Sequence, residues 1–128
     1  VSDRLCERVA VADERFELCA AAQGMPQMDV GARTDVLSGG KKEESMMILL
    51  RAMRPQWIAV DEITSAADVA AMERCAYCGV QLLATAHVTG ASDLTQRPVY
   101  RALLSCRIFR NLVLLHTDGS YEIRRIGE

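Results

Sequence analysis

A layered α/β fold with a mostly parallel sheet and a C-terminal β-hairpin is predicted by three features of the sequence. Val9-Ala10-Val11-Ala12 and Trp57-Ile58-Ala59-Val60 are short, unbroken apolar runs, the pattern of strands buried on both faces and so of parallel sheets. Segments with helical apolar spacing alternate with such runs, as layered α/β folds require. Asp118-Gly119 stands between Leu112-Val113-Leu114-Leu115 and Tyr121-Glu122-Ile123, a type I′ hairpin signal that ends the chain with antiparallel pairing.

Taken in order, the first strand runs into Asp13-Glu14-Arg15 and delivers charge at its C-terminal end. Gln23 to Lys42 holds Gly24, Pro26, Gly31, Gly39 and Gly40 among polar residues, which predicts a long loop lying over a site. From Lys42 to Arg54, Met46, Met47, Leu49, Leu50 and Met53 form an apolar helical stripe, read as core, and Pro55 stops the helix. The second strand, Trp57 to Val60, is closed by Asp61-Glu62. Ser65 and Asp68 are spaced as a capping box that opens a helix to about Cys75, with Gly79 able to end it. Val80 to Ala84 is the next strand and leads into Thr85-Ala86-His87. Ser92 to Phe109 reads as helical, interrupted by Pro98, before the strand Asn111 to Leu115.

Composition narrows the function classes. The chain has 128 residues, half of them apolar, enough for one domain with a real core. With 15 basic and 17 acidic residues the net charge is −2, so no broad basic footprint for nucleic acid or anionic lipid is expected. No apolar run nears the roughly 18 residues needed to span a bilayer. Val1-Ser2-Asp3-Arg4 lacks the features of a secretory signal, so a soluble chain in a reducing cytoplasm is expected, and the missing initiator Met suggests an incomplete one. Five irregularly spaced cysteines do not form a disulfide framework. Only Cys75-Ala-Tyr-Cys78 has metal or redox spacing, and packing thiols are the simpler reading, since only His87 and His116 could complete a zinc site.

Ligands of parallel sheets gather outside the carboxyl ends of the strands. Asp13-Glu14-Arg15, Asp61-Glu62 and Thr85-Ala86-His87 all fall at such ends. Four apolar residues running into Asp61-Glu62 have the form of a Walker B strand, where one acid holds a Mg²⁺ shell and its neighbour orients the attacking water. The same pair also suits a helix start. Arg15 or Arg33 could meet phosphate as a bidentate donor, or sit in surface salt bridges. His87 could contact a terminal phosphate, or be structural, as His116 is read to be.

In this order, Asp13-Glu14-Arg15, the stretch Gly24 to Leu37, the helix ending Leu50-Arg51-Ala52-Met53-Arg54-Pro55, Val60-Asp61-Glu62-Ile63 and Ala84-Thr85-Ala86-His87 resemble the stage III sporulation protein AA family. That family is related to the ATPases of type II and type IV secretion and pilus machines. The resemblance covers essentially the whole chain, and Pro26-Gln27-Met28-Asp29-Val30-Gly31-Ala32-Arg33-Thr34-Asp35-Val36-Leu37 is its most specific part. It implies a RecA-like P-loop NTPase layered fold, with residues 1–128 as a single partial ATPase domain that lacks the first P-loop strand and helix. ATP and Mg²⁺ are the implied cofactors. Asp61 would correspond to the Walker B acid, holding Mg²⁺ through water, and Glu62 to the catalytic glutamate. Asp13 and Glu14, with Arg15 beside them, would fill the aspartate box. His87, preceded by Thr85, would match the histidine box and join Glu62 in catalysis, with Thr85 near the nucleotide. Arg33 would act on phosphate, its own or that of a neighbouring subunit.

The resemblance further implies a homo-oligomeric ring at the cytoplasmic face of the mother-cell membrane, powering a channel complex that links mother cell and forespore. Thr64-Ser65-Ala66 departs from the family's glycine and charged residues after the Walker B strand. The larger departure is the phosphate loop: Gly39-Gly40-Lys41 has Asp35 in place of the first glycine, Lys42 in place of Ser or Thr, and no buried strand expected before it. The chain alone is therefore expected to be inactive, and loss of a central strand would leave two neighbouring edges exposed. A non-catalytic module that docks on ring subunits or the membrane complex is the alternative, and a cysteine-based metal or redox protein a weaker third.

Overall fold

The apolar runs at 9–12 and 57–60 become adjacent parallel strands, as their lack of polar alternation requires. The computed structural model describes residues 7–15, 18, 25 and 29–126. It divides into two compact units, one running to Ala86 and the other from His87. The first holds β1 (Val9–Asp13), β2 (Thr34–Ser38), α1 (Lys42–Ala52), β3 (Trp57–Val60), α2 (Ala66–Tyr77) and β4 (Gln81–Ala84). Its sheet has the order β2-β1-β3-β4, and every pair is parallel.

Both sheet faces are covered. Val9 and Val11 form a buried cluster with Leu18, Val30, Val36, Trp57 and Ala59 against it. By strand alternation Ala10, Ala12, Ile58 and Val60 point the other way, and all four are at most 1% exposed. Helices α1 and α2 touch each other, α1 touches β1 and α2 touches β4. Met46, Leu49, Met72 and Cys75 are their buried apolar residues of 0–1% exposure. The predicted stripe thus holds at Met46 and Leu49, whereas Met53 is 45% exposed because the helix ends at Ala52. Arg54 then turns left-handed (φ 44°) before Pro55.

Two local expectations are met at α2. Ser65 Oγ accepts from Asp68 N–H and Asp68 Oδ2 accepts from Ser65 N–H, each at 3.2 Å, which is the capping box. At the other end Gly79 has φ +84°, with Gly79 N donating to Ala76 O and Val80 N to Cys75 O. That is a Schellman closure, and it favours glycine.

The segment 23–42, expected to be a loop, contains β2. Residues 23, 24 and 26–28 of that segment lie outside the described residues. Thr34-Asp35-Val36-Leu37-Ser38 is only half-buried, and its strand form comes from pairing with β1, from Val9↔Thr34 to Asp13↔Ser38. Local propensity alone is too weak to show it.

The second unit holds α3 (Asp93–Gln96), α4 (Pro98–Ser105), β5 (Asn111–Leu115) and β6 (Tyr121–Arg125). The helical stretch expected over 92–109 is two short helices ending at Ser105, because Pro98 cannot donate and instead starts α4. Leu94, Tyr100 and Leu103 are buried. β5 and β6 pair antiparallel as a separate two-stranded sheet. Gly119 N donates to His116 O at 3.1 Å, and Gly119 alone in the turn has positive φ (+88°). The connection is therefore not the expected type I′ turn, which needs positive φ at both central residues.

Candidate functional site

Because all four strands are parallel, their C-terminal tips share one edge. The register Ala12↔Val60↔Ala84 brings Asp13-Glu14-Arg15, Asp61-Glu62 and Thr85 onto it, with Ser38 beside Asp13. This is the convergence the sequence implied for these residues.

Glu62 is the most constrained of them. Its φ of 26° lies in the left-handed region, a conformation that costs a non-glycine residue about 1–3 kcal/mol and persists only where its surroundings over-determine it. The surroundings do so here. Glu62 N–H donates to Thr85 Oγ1 at 2.8 Å, Glu62 O accepts from Lys42 Nζ at 2.7 Å, and Glu62 Oε2 accepts from Arg15 NH1 at 2.8 Å. Ile63 N–H donates to Thr85 O and Thr85 N–H to Val60 O, so the backbone of β4 continues to hold β3 past its end. Arg15 and Glu62 side chains are 54% and 37% exposed, and their ion pair contributes at most about 1 kcal/mol.

Asp61 and Asp13 are buried, at 4% and 1% exposure. Asp13 Oδ1 accepts from Leu18 N–H at 3.1 Å and Asp13 O from Gly39 N–H at 2.9 Å, which ties the ends of β1 and β2 together. Glu14 Oε2 lies 3.0 Å from Lys42 Nζ, and Asp68 Oδ2 lies 3.5 Å from the same atom. Lys42 is 3% exposed. Burial is the largest single influence and would lower its pKa, but the hydrogen bond to Glu14 and the charges of Asp68, Glu14 and Asp61 outweigh it and hold Lys42 above its ordinary value. For Asp68 burial likewise opposes ionisation, and the donors Thr64 and Ser65 with the Lys42 charge bring its pKa below the ordinary one.

Lys42 and Asp68 are the residues of this cluster that sequence reasoning missed. Asp68 was visible only as a helix cap. Lys42 carried one cue, since a cation in the first turn of a helix opposes the helix dipole and needs another reason to be there.

The remaining candidates have these local settings. Arg33 precedes β2, where its carbonyl accepts from Val9 N–H at the start of β1. It therefore lies at the amino edge of the sheet, away from Asp61 and Glu62. His87 is the first residue of the second unit, exposed, with its carbonyl accepting from Tyr100 O–H at 3.3 Å. His116 Nε2 is 3.0 Å from Glu122 Oε2 beside the hairpin. The strand that leads into Gly39-Gly40-Lys41 is not a buried one, and those three residues alone separate β2 from α1, whose first turn carries Glu43 and Glu44. Such a loop is too short to wrap phosphate, and the helix start behind it too acidic. Cys75 is buried and its thiol is pushed up to about 11 by burial and by nearby Cys78, which is exposed. A thiol so protonated at neutral pH is a poor nucleophile.

Among the described residues no three His, Cys, Asp or Glu side chains converge to hold a metal ion, and no helix is long and apolar enough to cross a membrane. The described residues of the rim offer a divalent cation one or two carboxylates. That donor set suits magnesium completed by water and phosphate oxygens.

Comparison with known proteins supplies a family context. Residues 5–127 match the family model described as sporulation stage III, protein AA. The chain is 34% identical over 120 residues to stage III sporulation protein AA of Bacillus subtilis, a match covering 93% of this chain and 39% of that protein. Among solved structures it is similar to the Legionella pneumophila ATPase DotB, with a TM-score of 0.52, 14% identity, and coverage of 93% of this chain and 36% of that one. The chain therefore spans less than two-fifths of either protein.

Proposed function

From a chain that belongs to the sporulation stage III protein AA family and has the layered fold of a secretion-type ATPase, we propose that it forms the Mg-ATP-hydrolysing half of such an ATPase, the phosphate loop coming from polypeptide outside these residues. The observation that carries this reading is Glu62: a carboxylate at a strand tip, next to a buried acid, on a backbone held in a costly conformation. Strain of that kind is retained where a side chain must be aimed.

In this reading Glu62 accepts the proton of the attacking water and fixes its direction. Asp61, with Asp13 behind it, holds negative charge at the rim where a hydrated magnesium ion would sit. Bound magnesium would neutralise phosphate charge. Arg15 is near enough to Glu62 to exchange that carboxylate for a phosphate oxygen, and Thr85 fixes the Glu62 amide. His87 acts on the terminal phosphate, and Arg33 serves a neighbouring subunit from the amino edge. The assembled protein is a homo-oligomeric ring working with membrane-associated sporulation channel proteins from the mother-cell cytoplasm.

The test is hydrolysis of Mg-ATP by a polypeptide carrying both this chain and the phosphate loop. Glu62→Gln is expected to lower kcat by about 10²–10⁴-fold, the usual range for a general base, and hydrolysis at the wild-type rate would overturn the reading. These residues alone are expected to show no micromolar Mg-ATP binding in calorimetry.

A second reading, an assembly module without catalysis, is favoured by two surfaces. β4 ends the sheet on its side, and β5–β6 expose Val113, Leu115, Tyr121 and Ile123, both suited to strand or apolar pairing. Retention of ring assembly by the Glu62→Gln protein together with loss of sporulation would decide for catalysis.

A further inference from the structure

We propose that Lys42 is the positioning residue of this rim, holding the Glu62 carbonyl so that the backbone keeps its left-handed turn and the carboxylate stays aimed. For the role of Glu62 the inference rests on the ATPase reading above; for how Glu62 is held it rests on geometry alone.

An ammonium group has three donors and no acceptor. Those of Lys42 face Glu62 O at 2.7 Å, Glu14 Oε2 at 3.0 Å and Asp68 Oδ2 at 3.5 Å. The three acceptors belong to three elements: the end of β3, the end of β1 and the first turn of α2. Asp68 is itself fixed by Thr64 N–H, Thr64 Oγ1 and Ser65 N–H at 3.0–3.2 Å. A capped helix end is thereby connected through one buried cation to the carbonyl of Glu62.

A purely structural role does not require this arrangement. The charge of Asp68 could be balanced by Lys42 without any contact to Glu62, and a buried lysine at a helix start is opposed by both desolvation and the helix dipole. Sequences tend to break local rules of this kind at functional positions. The other two holds on Glu62 are weaker anchors, because Thr85 and Arg15 are both exposed to solvent. Arg15 can therefore leave the carboxylate without releasing the backbone, while Lys42, at 3% exposure, does not exchange with water.

The test uses the polypeptide that carries this chain and the phosphate loop. Lys42→Arg keeps the charge but cannot place one nitrogen among three acceptors. It is expected to lower kcat by about 10²-fold, the scale of a misplacement of about 1 Å, with KM for Mg-ATP within about twofold. Lys42→Met strands two carboxylates and can unfold the protein, so a neutral triple variant, Lys42→Met with Glu14→Gln and Asp68→Asn, accompanies it. In its crystal structure Glu62 φ is expected to return to negative values. Wild-type kcat in a folded Lys42→Arg protein, or an unchanged Glu62 φ in the triple variant, would overturn the inference. Glu62→Gln is run alongside: wild-type hydrolysis there means that the ATPase reading has failed, and the Glu62 φ measurement then decides the positioning role by itself.

Discussion

β1 and β6 are both five-residue strands, yet every residue of β1 is buried and every residue of β6 is exposed. β1 has a parallel neighbour on each side and cover on both faces, whereas β6 has β5 alone. Hydrogen bonding is complete enough in both to define a strand. What differs is how many elements must move before a side chain can move, and that decides where charged groups can be held in costly positions. Asp13, Asp61 and the strained Glu62 lie at the ends of the doubly flanked strands β1 and β3, with Lys42 of α1 bonded to the Glu62 carbonyl, while the charged residues of the hairpin, such as Glu122 between His116 and Arg124, form exposed pairs.

The contrast can be broken or sharpened by substitution, with Trp57 fluorescence during urea unfolding as the readout for the first unit. Asp68→Ala leaves Lys42 buried with less compensation and removes the helix cap, so a loss of about 3–5 kcal/mol is expected. Ile58→Ala, at a position of 0% exposure, is expected to cost roughly 2–5 kcal/mol. Asp68 also sets a pH signature. Its folded pKa lies below the ordinary 3.8, so its stabilisation is present above about pH 4 and is lost as pH falls through the lower folded value. Asp68→Asn should flatten the decline of the urea midpoint below pH 4, and an unchanged decline would mean that other carboxylates govern acid unfolding. Ser65→Ala removes only the cap acceptor and should cost about 1 kcal/mol. Ile123→Ala, at 65% exposure on the hairpin, should change the stability of the chain by less than about 0.5 kcal/mol; a loss comparable to that of Ile58→Ala would mean that the hairpin is as deeply held as the sheet.

Much of the rim was legible in the sequence because β1, β3 and the capped start of α2 announce themselves locally. An unbroken apolar run followed by acids fixes both the strand and the end at which the acids emerge. β2 was not legible, since Thr34 to Ser38 has neither an apolar run nor clean alternation and becomes a strand only by pairing with β1. Arg33 shows the same gap: its place in the chain gave no indication that it precedes a parallel strand and so lies at the opposite edge from Glu62.

By itself, the sequence determined the family, the alternation of strands and helices, the helix cap at Ser65 and Asp68, and the acids at the tips of β1 and β3. Each of these is written in neighbouring residues or in the order of motifs along the chain. Only the tertiary structure decided that Lys42 is buried among Glu14, Asp68 and the Glu62 carbonyl, and that Glu62 turns left-handed between Lys42 and Thr85. Those partners lie 20 or more residues apart along the chain in every case, and the field at a buried charge depends on what surrounds it in space.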